Sequence, residues 1–125
     1  MIIQTKNFNP KSDPKLLCTC GHKDCDQRSV NQETLDKLQL VRDWLNLPMT
    51  VTSGGRCPNH PNEVKRTKPA DHQNCIGVDV LYRSEKEKNL IMMYGVKAGF
   101  TAIAAGKNFV HLGNRPQRHL TTWSY

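Results

Sequence analysis

The segment Ile76-Gly77-Val78-Asp79-Val80-Leu81 reads as a β-strand with Ile76, Val78 and Val80 on one face and Gly77 and Asp79 on the other. Asp79 is flanked by valines, and a buried carboxylate is costly unless it is paired or bound to a cation. Whatever this chain folds into must therefore bring a positive partner to that strand. Two histidines are placed to take part. His72 precedes Asp79 with six residues between them, and His111 lies inside a second apolar run, Phe109-Val110-His111-Leu112. A catalytic zinc takes three protein ligands and leaves one position open. His72, Asp79 and His111 offer that set, with Gly77 leaving space beside the metal. The same residues also suit a plainer arrangement, in which Asp79 pairs with an arginine and both histidines are ordinary polar side chains. The spacing alone does not choose.

Around this strand the pattern is one of mixed helix and strand. The first ~30 residues hold Asn9-Pro10, Asp13-Pro14 and Gly21 and read as an irregular arm. A helix is expected from about Asn31 to Leu45, with Ser29 and Gln32 as a capping box, Leu35, Leu38, Val41 and Leu45 on one stripe, and Pro48 beyond its end. Met49 to Ser53 alternates as a strand and stops at Gly54-Gly55. Cys57 to Asp71 forms a long polar loop, of the kind that is usually functional or mobile. A second helix is expected from Ser84, with Glu87 completing a capping box, to about Lys97, stopped by Gly99. Strands Thr101–Ala104 and Phe109–Leu112 follow, joined by a hairpin turn at Ala105-Gly106-Lys107-Asn108. The aromatic tail, with Trp123 and Tyr125, is expected to pack back on the domain. At 125 residues the chain has room for one domain with one modest core. The expected class is α+β: a single domain over 1–125, with an antiparallel sheet, two main helices and residues 1–30 as a cysteine-containing arm.

The formal charge of +7 calls for an acidic partner. Nucleic acid is not the expected one, because the basic residues are scattered and aromatics make up only 6%, too few for a base-stacking platform. A polyanionic cell wall suits the charge equally well. No apolar run approaches a membrane span, and the N-terminus lacks a secretory signal. The expectation is synthesis in the cytoplasm, where the protein stays unless something else releases it. Five cysteines without an export signal argue against a disulfide framework. Cys18, Cys20 and Cys25 could supply three thiolates of a structural zinc site, with Cys57, His22 or Cys75 as the fourth ligand. Reduced packing thiols, or a pairing of Cys57 with the arm, fit the same pattern.

Taken in order, Ser53-Gly54-Gly55-Arg56, His72 with Asp79, and Phe109-Val110-His111 resemble the zinc D-Ala-D-Ala carboxypeptidase family. That family sits with the Hedgehog-like and lysostaphin-type metallopeptidases. The ending, Arg115-Pro116 to Trp123-Ser124-Tyr125, is similar to that of its short, phage-encoded branch. The resemblance runs from about Phe8 to Tyr125 and implies a Hedgehog/DD-peptidase-like fold. It further implies a zinc peptidase acting on peptidoglycan stem peptides, as murein endopeptidase or D,D-carboxypeptidase. His72, Asp79 and His111 would then hold the zinc. Arg56 would bind the substrate carboxylate or developing oxyanion, and Ser53 would fix the substrate or the turn. The chain departs from the family where a general base is usual: Asn108 stands three positions before the last histidine, and Leu112-Gly113 follows it. Ala70-Asp71 precedes His72, and Cys75 stands where glycine is usual. Asp71, His119 and Glu63 are the remaining candidates for the base. A zinc-binding module derived from the family, without turnover and binding cell-wall or protein partners, is the alternative.

Overall fold

The computed structural model describes residues 2–125. Two helices, α1 (Gln32–Leu45) and α2 (Glu85–Ala98), pack together over a sheet of β1 (Val51–Ser53), β2 (Gly77–Leu81), β3 (Ala102–Ala105), β4 (Phe109–Gly113) and β5 (Thr121–Ser124). The strand order is β1-β2-β4-β3-β5. This is an α+β fold, with antiparallel pairing throughout except at one edge, where β5 runs parallel to β3. That edge is made by the aromatic tail, which returns to the sheet as a strand of its own.

Both helices start and stop for local reasons. Ser84 caps α2 by accepting from the Glu87 amide, and Gly99 ends it in the left-handed conformation, as the sequence suggests. At α1 the cap is Asn31, whose side chain accepts from Thr34 N at 2.9 Å. Ser29 does not form the expected box: it lies in an isolated bridge opposite Leu17, before the helix, and its Oγ donates to the Val30 carbonyl. The apolar stripe of α1 (Leu35, Leu38, Val41, Leu45) and Ile91 of α2 bury against Val78, Val80, Val110, Leu112 and Ile103 of the sheet. Each such side chain contributes roughly 1.5–3 kcal/mol on burial, and together they hold the inner sheet face.

The opposite face carries the polar side chains. Cross-strand partners share a face, so the register sets a single row across the sheet: Ser53 opposite Asp79, Asp79 opposite His111, His111 opposite Ala104, and Ala104 opposite Trp123. The row crosses all five strands. Its middle is where the polar chemistry of the chain collects.

Candidate metal centre

Asp79 and His111 face each other because β2 and β4 pair them directly. His72 comes from the turn before β2, and its ring is held by a short contact of Nδ1 to the Gly54 carbonyl at 2.7 Å. A carbonyl only accepts, so Nδ1 carries the proton and Nε2 presents its lone pair inward. That Nε2 lies 3.3 Å from Asp79 Oδ1, and His111 Nδ1 lies 2.9 Å from the same oxygen. One ligand atom from each of the three residues falls within 4.8 Å of the others, and all three residues are buried. Two imidazoles and a carboxylate make the donor set of a three-ligand zinc site. The residues fit such an ion.

Behind His111 stands a carboxylate clamp. Its Nε2 donates to Asp71 Oδ2 at 2.8 Å, while Arg115 Nε donates to Asp71 Oδ1, also at 2.8 Å. An imidazole whose far nitrogen donates to a carboxylate has its tautomer and ring direction fixed, as metal-bound histidines commonly do. Room for Asp71 comes from two glycines paired across β2 and β4. A Cβ on Gly77 would lie 2.7 Å from Asp71 Cβ, and one on Gly113 would lie 2.5 Å from Asp71 Oδ2. The space that Gly77 opens on the sheet is therefore taken by Asp71 and the His111 ring.

Charge follows the same geometry. Burial alone would raise Asp79 and Asp71. The histidines around Asp79, and His111 with Arg115 around Asp71, outweigh it and hold both carboxyls below their usual range. For His111 burial acts to lower the pKa, and the two carboxylates more than reverse it, so the doubly protonated ring is stabilised relative to a free imidazole in the ion-free protein. A cation bound here would take the place of that second proton.

Arg56 closes the other side. Its Nη2 is 3.6 Å from Asp79 Oδ2, so an arginine partner and a histidine pair coexist around one carboxylate. Ser53 Oγ accepts from Arg56 Nε at 3.0 Å, and Glu63 Oε2 receives Nη1 at 3.3 Å. The Cys57–Asp71 loop folds through successive turns and drives Glu63 inward, leaving its side chain no exposure. Glu63 also meets Arg66 and Gln73. It is an anchor for Arg56 and does not open to the cleft. Of the other candidate bases, His119 is exposed on the tail away from the cleft, and both oxygens of Asp71 are committed.

The site floors a cleft of about 760 Å³. Its wall includes residues that the sequence does not flag as functional: Phe109, Arg115, Trp123 and Tyr125. The Trp123 ring lies 5.3 Å from that of His111 across the small Ala104, and the Arg115 guanidinium lies over the Trp123 ring at 5.1 Å. The aromatic character of the tail is the only local signal of this role.

The family model for peptidase M15 matches residues 8–113. The chain belongs to the peptidase M15 family. No curated protein matches it. The M15 match covers the arm from residue 8, the Ser53–Arg56 turn, both helices and all three metal-type residues, so the cluster lies wholly inside the span matched to a zinc-dependent family. The β5 edge, with Trp123 and Tyr125, lies beyond the matched span of M15.

Proposed function

We propose that the chain is a zinc-dependent peptidase that hydrolyses peptidoglycan stem peptides. The observation that carries this is the convergence of His72, Asp79 and His111 at the floor of a cleft with Arg56 alongside. Zinc held by those three residues supplies a Lewis acid and lowers the pKa of a water toward ~7. The remaining work falls to side chains already in place. Arg56, fixed by Ser53 and Glu63, points a planar guanidinium at the centre and can bind a substrate carboxylate or the oxyanion of the attacked amide. Gly54 and Asp71 hold the two imidazole rings, so little reorganisation accompanies ligand binding. Phe109, Trp123 and Tyr125 give the substrate an apolar wall, while Arg66 and Arg115 favour an acidic peptide.

A second reading has its own support. Asp71 and Asp79 are the only carboxylate residues lining the cleft among the described residues, and both are engaged. A hydrolase needs an acceptor for the water proton, so a wall-binding zinc module without turnover is the competing function. Mass spectrometry of stem-peptide digests, with and without chelator, separates the two. Cleavage that stops on chelation supports the peptidase, and the product masses distinguish endopeptidase from carboxypeptidase action. Intact peptides after prolonged incubation with zinc-loaded protein, together with retained binding to the wall, would replace it with the binding module.

A further inference from the structure

Four of the five cysteines form a second cluster outside the cleft. Cys18, Cys20, Cys25 and Cys57 bring their sulfurs within 4.8 Å of one another. Three chain movements produce this. Cys18 and Cys20 alternate along the extended piece that bridges to Ser29, so both side chains leave the same face. A turn closed by Cys25 N donating to the His22 carbonyl at 3.0 Å returns the chain and presents Cys25. Cys57 comes from elsewhere, directly after Arg56.

We propose that these four thiols are a structural tetrathiolate site for a single zinc-type cation, which staples the N-terminal arm to the turn carrying Arg56. Zinc–sulfur bonds of about 2.3 Å in a tetrahedron put sulfurs about 3.8 Å apart. Cys20 and Cys57 sulfurs are 3.6 Å apart, and none of the four exceeds 4.8 Å from another. Ligation balances as four S–H groups giving their protons to solvent and four thiolates binding one dication. The resulting anionic centre sits in a chain of net charge +7. The Gln27 amide, which donates to Cys25 Sγ at 3.4 Å, already stabilises charge on one ligand. Cys18 and Cys57 are buried and Cys20 and Cys25 partly exposed, so the site is closed by protein on one side and reachable by an ion on the other. Cys75 stands apart, its thiol against the Gln73 carbonyl, and supplies an internal control.

The staple would act on the cleft through backbone. A Cβ on Gly54 would lie 2.6 Å from the Leu16 carbonyl oxygen, and Gly55 is as closely covered by Arg28. Gly55 N donates to Leu16 O at 3.0 Å, and Arg56 N donates to His72 O at 3.1 Å. The arm, the Arg56 turn and His72 thus form one hydrogen-bonded stack, with the cysteine cluster at its outer end.

The test is metal content and spectroscopy of protein purified with its thiols reduced. Wild type and Cys75→Ser should carry about two zinc ions per chain, and Cys25→Ser and His72→Ala about one each. Cobalt-loaded His72→Ala should keep an intense sulfur-to-cobalt charge-transfer band that cobalt-loaded Cys25→Ser lacks. Should Cys25→Ser fail to fold, a thiol-specific mercurial added to wild type should release about one equivalent of zinc in step with thiol modification. Four thiols modified without zinc release would overturn the proposal. So would zinc content unchanged by Cys25→Ser, or a Cys20–Cys57 disulfide in protein never exposed to oxidant. Absence of the thiolate band from cobalt-loaded wild type, with stem-peptide cleavage intact, would sink this site alone and leave the peptidase standing.

Discussion

The two donor clusters are built on opposite kinds of backbone. Asp79 and His111 sit on paired central strands, so the sheet ladder sets their separation before any ion arrives. The cysteines sit on an arm with little regular structure and on the turn after Gly55, where separate turn and bridge bonds, not a strand ladder, place the sulfurs. The sheet cluster surrounds its carboxylates with histidine and arginine, and it opens to a cleft. The cysteine cluster has no cationic side chain among its own members to offset thiolate charge. Burial pushes the Cys18 thiol up to about 12. A preformed, open, self-compensated site suits chemistry on a passing substrate, whereas a cluster on irregular backbone suits a metal that ties its segments together.

The most damaging way to break this comparison is to remove the shared carboxylate. Asp79→Ala leaves His72, His111 and Arg56 around an uncompensated hole, and breaking such a buried pair costs about 3–5 kcal/mol. The urea midpoint of the ion-free protein should fall accordingly, zinc at the sheet site should be lost, and cleavage should drop to background. If the thiolate metal left as well, the two regions would not be independent. Asp71→Asn sharpens the picture at lower amplitude. It keeps the shape behind His111 while losing the charge, so zinc affinity at the sheet site should weaken about 10- to 100-fold by competitive chelation. An unchanged affinity would mean that Asp71 does not orient the ligand. Arg56→Lys keeps the charge but loses the fork held by Ser53 and Glu63, and kcat/KM should fall about tenfold with zinc content unaltered.

The smallest effect is in pH. In ion-free protein the raised pKa of His111 contributes stability that is fully present below about 6.5, the unfolded value, and is lost as pH rises through the folded one. The depressed pKa values of Asp71 and Asp79 contribute above about 3.9 and are lost as pH falls through their folded values. The Tm of chelated protein should therefore peak between about pH 4 and 6.5 and decline toward pH 8. Zinc-loaded protein should gain over the upper part of that range, because zinc competes with protons for the imidazoles. Parallel curves with and without chelator would contradict the placement of a cation at His111.

Much of this was legible in the sequence where the cause is local. The caps of α2 follow from Ser84, Glu87 and Gly99, and the carboxylate in an apolar strand singles out Asp79. The miss at α1 is instructive: Ser29 has the right chemistry for a cap, but it is drawn into a bridge opposite Leu17, a contact no window of sequence reveals. Register is equally hidden. The row from Ser53 to Trp123 needs four strand pairings at once, and β5 joins by a parallel edge with half-exposed residues that carry no clear strand pattern. Asp71 was visible as a neighbour of His72, but its place behind His111 depends on Gly77 and Gly113 meeting across two strands. The α+β class was fixed by short-range pattern; the wall of the cleft depended on long-range pairing.

X-ray absorption fine structure at the zinc edge of fully loaded protein tests the central claim most directly, since it reads the kinds of ligand atom averaged over the bound ions. Two coordination sets are expected in equal amounts, nitrogen and oxygen at about 2.0–2.1 Å and sulfur at about 2.3 Å. A spectrum with sulfur ligands alone would contradict a metal centre at His72, Asp79 and His111.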